Sequence, residues 1–137
     1  MTIDYTTAAG QVRLLISDTG ATPILADDQV AGYLARWALT PTDPATARAG
    51  IGRAAADALD AIATSEALIS KVIKTQDLAT NGPQTAAALR AQAATLRARA
   101  DADDELDDVN DGSFVDVAEF TPYPRRTTGE ATEPGWW

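Results

Sequence analysis

Cysteine and histidine are both absent from this chain. Without cysteine there is no disulfide scaffold, no thiolate metal site and no thiol nucleophile. Without histidine the commonest general base and the commonest transition-metal ligand are missing as well. Lysine is nearly absent too: Lys71 and Lys74 are the only two, in a protein of formal net charge −9. No stretch of about 18 apolar residues occurs, so no membrane span is expected. The first residues, MTIDYTTAAG, lack a basic region followed by an apolar one, so no signal peptide is expected and synthesis is assigned to the cytoplasm.

What is present is alanine, and acid concentrated in one place. Residues 101–111, DADDELDDVND, hold seven acidic and no basic side chains. The other 13 acidic residues face 11 basic ones, so the rest of the chain is close to neutral. The acidic run fails as a calcium loop. Counted from Asp107, Gly112 falls sixth as required, but Val109 stands third and Ala118 twelfth. It reads instead as a solvated, self-repelling linker.

Catalytic patterns fail in the same way. Ser65, Glu66, Thr75 and Asp77 have no base to activate a hydroxyl. GATP at 20–23 lacks the Gly-Lys-Ser/Thr of a phosphate loop. The arginines are dispersed and the net field repels phosphate, which disfavours specific nucleic-acid binding. The expectation is a non-enzyme with no cofactor and no metal.

Apolar spacing predicts helices throughout residues 1–105. Val12, Leu15 and Ile16 mark a short helix over 6–17, capped by Thr6 or Thr7. Val30, Tyr33, Leu34, Trp37 and Ala38 form one stripe over 27–39, with Asp27 and Asp28 at its positive end. Asp43 as cap and Pro44 at the first position predict a long alanine-rich helix whose apolar face runs from Ile51 to Ile73, weakened at Gly50 and Gly52 so that its stable start falls near Arg53. After Asn81-Gly82, Pro83 opens a last helix over roughly 83–102, with a narrow seam of Ala86, Leu89, Ala93, Leu96 and Ala100. The fold class is all-α: a small four-helix bundle at 1–105, then an acidic linker and extended C-terminal arm at 106–137. Alanine buries little area at about 25 cal/mol per Å², so such a core calls for a partner surface. In the arm, Pro122, Pro124 and Pro134 forbid a continuous helix. Two readings of it stay open, a solvated tail and an extended segment that orders on a partner.

Two long stretches carry a resemblance. AAGQVRLLISDTGATPILADDQVAGYLARW (8–37) and AAADALDAIATSEALISKVIKTQDLATNGPQTAAALRAQAATLRARAD (54–101) resemble the head-to-tail adaptor proteins of long-tailed bacteriophages that infect actinobacteria. The pattern is a short helix reading VRLLI-x-D, a loop, an acid-started helix, and an alanine-rich helix running into S-x-x-L-I-S-K-V-I-K-T-Q-D. Segment 65–78 is its most specific part. Ala26 departs from it, where a serine or threonine cap is usual, and residues 113–137 lie outside it.

The resemblance implies a structural virion protein at the head–tail interface. Such a subunit would form a ring, twelve-fold as a rule, beneath the portal protein. It would extend the channel through which packaged DNA passes without specific binding, and meet the next connector or tail-completion protein. The C-terminal segment would dock on the portal, with Phe114, Val117, Phe120, Tyr123, Trp136 and Trp137 as candidate anchors. Lys71, Val72, Ile73 and Lys74 are the candidate subunit-interface or lumen residues. Three readings of the lysines stand: contact with a neighbour's carboxylates, meeting DNA phosphate in the lumen, or complementing the helix dipole. The alternative function is a small acidic interaction protein, an antitoxin-like inhibitor or a DNA mimic.

Overall fold

The computed structural model of the chain describes residues 2–74 and 82–110, the last turn 70–74 and residue 110 by backbone alone. Four helices build it: α1 (Ala8–Leu15), α2 (Asp27–Ala35), α3 (Arg48–Lys74) and α4 (Gly82–Asn110). The fold is all-α. Among the described residues the one extended pairing is an isolated antiparallel bridge between Thr7 and Pro44. The compact helical unit ends at Leu106.

α1 begins where Thr7 caps it, its hydroxyl accepting from the Gly10 amide at 3.2 Å. The next two free amides find carbonyls in a distant turn: Ala8 N–H donates to Asp43 O at 2.7 Å and Ala9 N–H to Pro41 O at 3.2 Å. The start of α1 is therefore tied to the approach to α3 before any side chain packs. Gly10 is required by that fit, since a Cβ there would lie 1.9 Å from the Asp4 carbonyl oxygen. α1 and α2 both stop in the same way. Ser17 (φ 60) and Ala38 (φ 57) take the left-handed conformation. The amides of Asp18 and Leu39 then reach back to Arg13 O and Leu34 O, closing two Schellman motifs without glycine.

The second of these stops shortens α2. Its stripe was expected to run through Trp37 and Ala38, but the helix ends at Ala35 and only Val30 and Leu34 are buried. Trp37 stands past the end, 38% exposed. Ala26 caps α2 without a side-chain acceptor; instead Gln29 Oε1 accepts the Ala26 amide at 3.0 Å. The start of α3 also differs from the expected one. Asp43 does not cap it: its carboxylate accepts from Thr40 N–H at 2.7 Å and closes a turn. The helix starts at Arg48, well before Arg53, and carries both glycines inside.

Packing explains why they are tolerated. A Cβ on Gly52 would sit 3.4 Å from Ala100 Cβ and 3.6 Å from Leu96 O, so α3 and α4 approach closely there. The α4 seam is buried as its spacing predicts, with Ala86, Ala93, Leu96 and Ala100 inside and Leu89 packed at the margin. α4 runs past the seam through Asn110, so residues 101–110 are helical where a solvated linker was expected. Asp101 and Asp104, one turn apart, both engage Arg53 of α3, which anchors the acidic segment to the bundle. Of the buried apolar residues among those described, ten are alanine, and the large ones are Val12, Ile16, Leu25, Val30, Leu34, Ile51, Leu59 and Leu96.

Candidate contact surfaces

α3 is buried on one face from Ala49 to Ala63 and then leaves the core. Glu66 and Ala67 are half-buried. Leu68 and Ile69 are 61% and 50% exposed, two large apolar side chains side by side in water. Ile24, Leu106 and Val109 are exposed to a similar degree, at 70%, 65% and 53%, and exposed apolar side chains of this kind are ordinary on a protein surface. Lys71, Val72, Ile73 and Lys74 follow directly as the last turn of this same helix. Their side chains lie outside the described residues. Phe114, Val117, Phe120, Tyr123, Trp136 and Trp137 also lie outside the described residues.

A charged network links α3 to α4. Asp57 of α3 accepts from the Trp37 indole N–H at 3.1 Å and from Arg97 of α4 at 3.1 Å, with Arg36 Nε 3.6 Å away. Arg97 also reaches Asp60 at 2.6 Å. Arg53 lies 5.4 Å from the centroid of the Trp37 ring and donates to Asp101 at 2.7 Å. The two arginines are held above their ordinary pKa, Arg97 by Asp60 and then Asp57, Arg53 by Asp101 and then Asp104. Each carboxylate in this network faces a cation. Its role is to fix α4 on α3.

A second ion cluster is buried under the loop between α1 and α2. Arg13 Nη1 donates to Asp18 at 2.8 Å; Nη2 donates to Leu25 O at 3.0 Å and to Asp27 at 2.6 Å. Asp18 accepts in turn from the Ile24 and Leu25 amides at 2.7 and 3.1 Å. Arg13 and Asp18 are almost wholly buried, and no buried polar side-chain atom among the described residues is left without a partner. A small cavity of about 140 Å³ lies beside them, lined by Thr7, Gly10, Arg13 and Asp27 among others. Among the described residues, no group of three or more acidic, histidine or cysteine side chains could hold a metal ion. None of the described helices is long and apolar enough to cross a membrane.

Sequence reasoning did not foresee the Arg13–Asp18 centre or the Trp37–Asp57–Arg97 network. Nor did it foresee that Arg48 and Arg99, 51 positions apart, line one cleft. The first had a faint signal, an acid five residues after an arginine on a helix that ends between them. The other two exist only once α3 and α4 are paired. No family model, curated protein or solved structure matches this chain.

Proposed function

We propose that the chain is a non-enzymatic head-to-tail connector subunit of a virion, which assembles as a ring beneath the portal protein, extends the DNA channel and joins head to tail. The observation that carries the reading is the way α3 leaves the core. Leu68 and Ile69 stand exposed at the start of the segment, 65–78, in which the phage-adaptor resemblance is most specific. In a ring each subunit offers one face to the left and a different one to the right, closed by rotation. Leu68 and Ile69 supply the apolar part of one face, and Lys71 and Lys74 its charge. Asp101 and Asp104 are engaged by Arg53, which leaves Asp103, Glu105, Asp107 and Asp108 as acids for a neighbour's lysines. Such pairs set register more than affinity. A core in which ten of the described buried residues are alanine gives a further reason for a partner surface.

The test is electron microscopy of the protein mixed with its portal ring, full-length and truncated after Asp111. Added ring density from the full chain that disappears on truncation establishes the connector and makes the segment with Phe114, Val117, Phe120, Tyr123, Trp136 and Trp137 the docking arm. Density that survives truncation keeps the connector and moves portal docking to the helical body. No added density, on isolated portals or on DNA-filled heads, overturns the reading, and one-to-one capture of a single basic target would put the acidic inhibitor in its place.

A further inference from the structure

A cleft of about 400 Å³ opens between α1, the start of α3 and the second half of α4. Leu15, Ile51, Leu96 and Ala100 contribute apolar surface to it, and Arg48, Arg99, Gln11 and Asp103 contribute the polar groups. Its size falls in the ~300–1,000 Å³ range of binding clefts. The two arginines set it apart from the rest of the molecule. Arg13, Arg36, Arg53 and Arg97 each lie within 4 Å of a carboxylate. Arg48, Arg90 and Arg99 have no such partner among the described residues, and two of these three line this cleft. Two guanidinium groups without a carboxylate partner among the described residues, beside an apolar floor, are a charge arrangement that an external carboxylate would complete.

We propose that this cleft binds an extended acidic peptide segment carrying a bulky apolar anchor. The apolar side chain would sit on Leu15, Ile51 and Leu96, and the flanking carboxylates would take Arg48 and Arg99. Asp103 at the rim disfavours a polyphosphate, as does the net charge of −9. The same Asp103 and the Gln11 side chain are suited to a peptide's backbone amides. Gln11 already donates to Tyr5 O at 2.6 Å, which leaves its carbonyl oxygen to accept. Residues 112–121 of this sequence, GSFVDVAEFT, have the required chemistry and serve as the probe. The proposal does not depend on the connector reading.

The experiment titrates a synthetic 112–121 peptide into isotope-labelled full-length protein, followed by nuclear magnetic resonance. It is repeated on a background whose own copy of the segment is disabled by Phe114→Ser, Asp116→Lys and Glu119→Lys. The expected result is saturable shifts at the Arg48 and Arg99 Nε–H signals and at the Ile51 and Leu96 amides. Arg48→Glu with Arg99→Glu should weaken binding at least tenfold with helix content unchanged, since both side chains are exposed. Arg90→Glu, set against Arg99→Glu alone as an equal change in charge away from the cleft, should leave binding within about twofold. Absence of saturable binding on both backgrounds overturns the proposal, as does equal weakening by Arg90→Glu. A ten-nucleotide single strand that binds the cleft more tightly than the peptide overturns it in favour of nucleic acid.

Discussion

Arg13 holds together a loop that has little else to hold it. Residues 18–25 contribute one buried apolar side chain, Leu25, to the core, and Asp18 is the acceptor for Ile24 N–H, Leu25 N–H and Arg13 at once. Removing the arginine leaves a carboxylate buried without its cation, which costs far more than the pair itself is worth. Arg13→Ala is therefore expected to destabilise the fold by about 3–5 kcal/mol, read as a lower urea midpoint, and a loss under about 1 kcal/mol would show the cluster to be wetter than its geometry implies. Asp4 and Asp43 act on exposed backbone in a milder way. Asp4 is held below its ordinary pKa by the Thr6 hydroxyl and then the Thr6 amide, and Asp43 by the Thr40 amide and then the Thr40 hydroxyl. A depressed carboxylate stabilises the fold fully above its unfolded value, about 3.9, and stops doing so as pH falls through the folded value. The Thr6 and Thr40 amide signals should thus hold through pH 4 and move together only below it. Midpoints above that value would contradict the two hydrogen bonds.

At the scale of the element, the decisive contact is the one between α3 and α4. Gly52 faces Leu96 and Ala100 at a distance where a methyl group just fits. Gly52→Ala should be tolerated or stabilising by up to about 1 kcal/mol, because it removes the helix penalty of glycine. Gly52→Leu should force the helices apart and cost about 1–3 kcal/mol. Thermal melts of both variants check the pair, and an alanine as damaging as the leucine would mean that the approach is tighter than 3.4 Å. How far such elements were legible follows from what each one needs. The α4 seam could be read because Ala86, Leu89, Ala93, Leu96 and Ala100 repeat at three and four, and burial follows the repeat. The start of α3 could not. Asp43-Pro44 looks like a helix cap, yet the competing turn with Thr40 takes the carboxylate and the chain bridges to Thr7 instead. The end of α2 was misread for a related reason. Trp37 is apolar and in register, but Ala38 turns left-handed, and the indole N–H finds Asp57 outside the core. The Arg48–Arg99 cleft has no local signal, because its two arginines meet only through the pairing of helices that Gly52 permits.

The whole molecule has an imbalance that the single chain does not resolve. Among the described residues the large buried side chains are few, while Leu68 and Ile69 are at least half exposed on a helix that continues beyond the described core contacts. Two leucine-sized side chains left half exposed forgo about half of the ~1.5–3 kcal/mol that full burial of each brings, which still counts against the stability of a small domain. If the role of this surface were purely local, replacing it would change stability and nothing else. If it faces a neighbouring copy, replacing it should leave the monomer intact and abolish assembly. Leu68→Glu with Ile69→Glu is therefore expected to shift the unfolding free energy by no more than about 0.5 kcal/mol, as exposed positions do. The same variant should fail to form ring density on the portal, because a ring closed by identical contacts places two buried charges at every junction. A ring built on such a contact should also weaken as salt rises, since lysine–carboxylate pairs are screened over about 8 Å at physiological ionic strength. A double variant that still assembles, at any salt, would remove α3 from the subunit interface and leave its two exposed residues to a different partner.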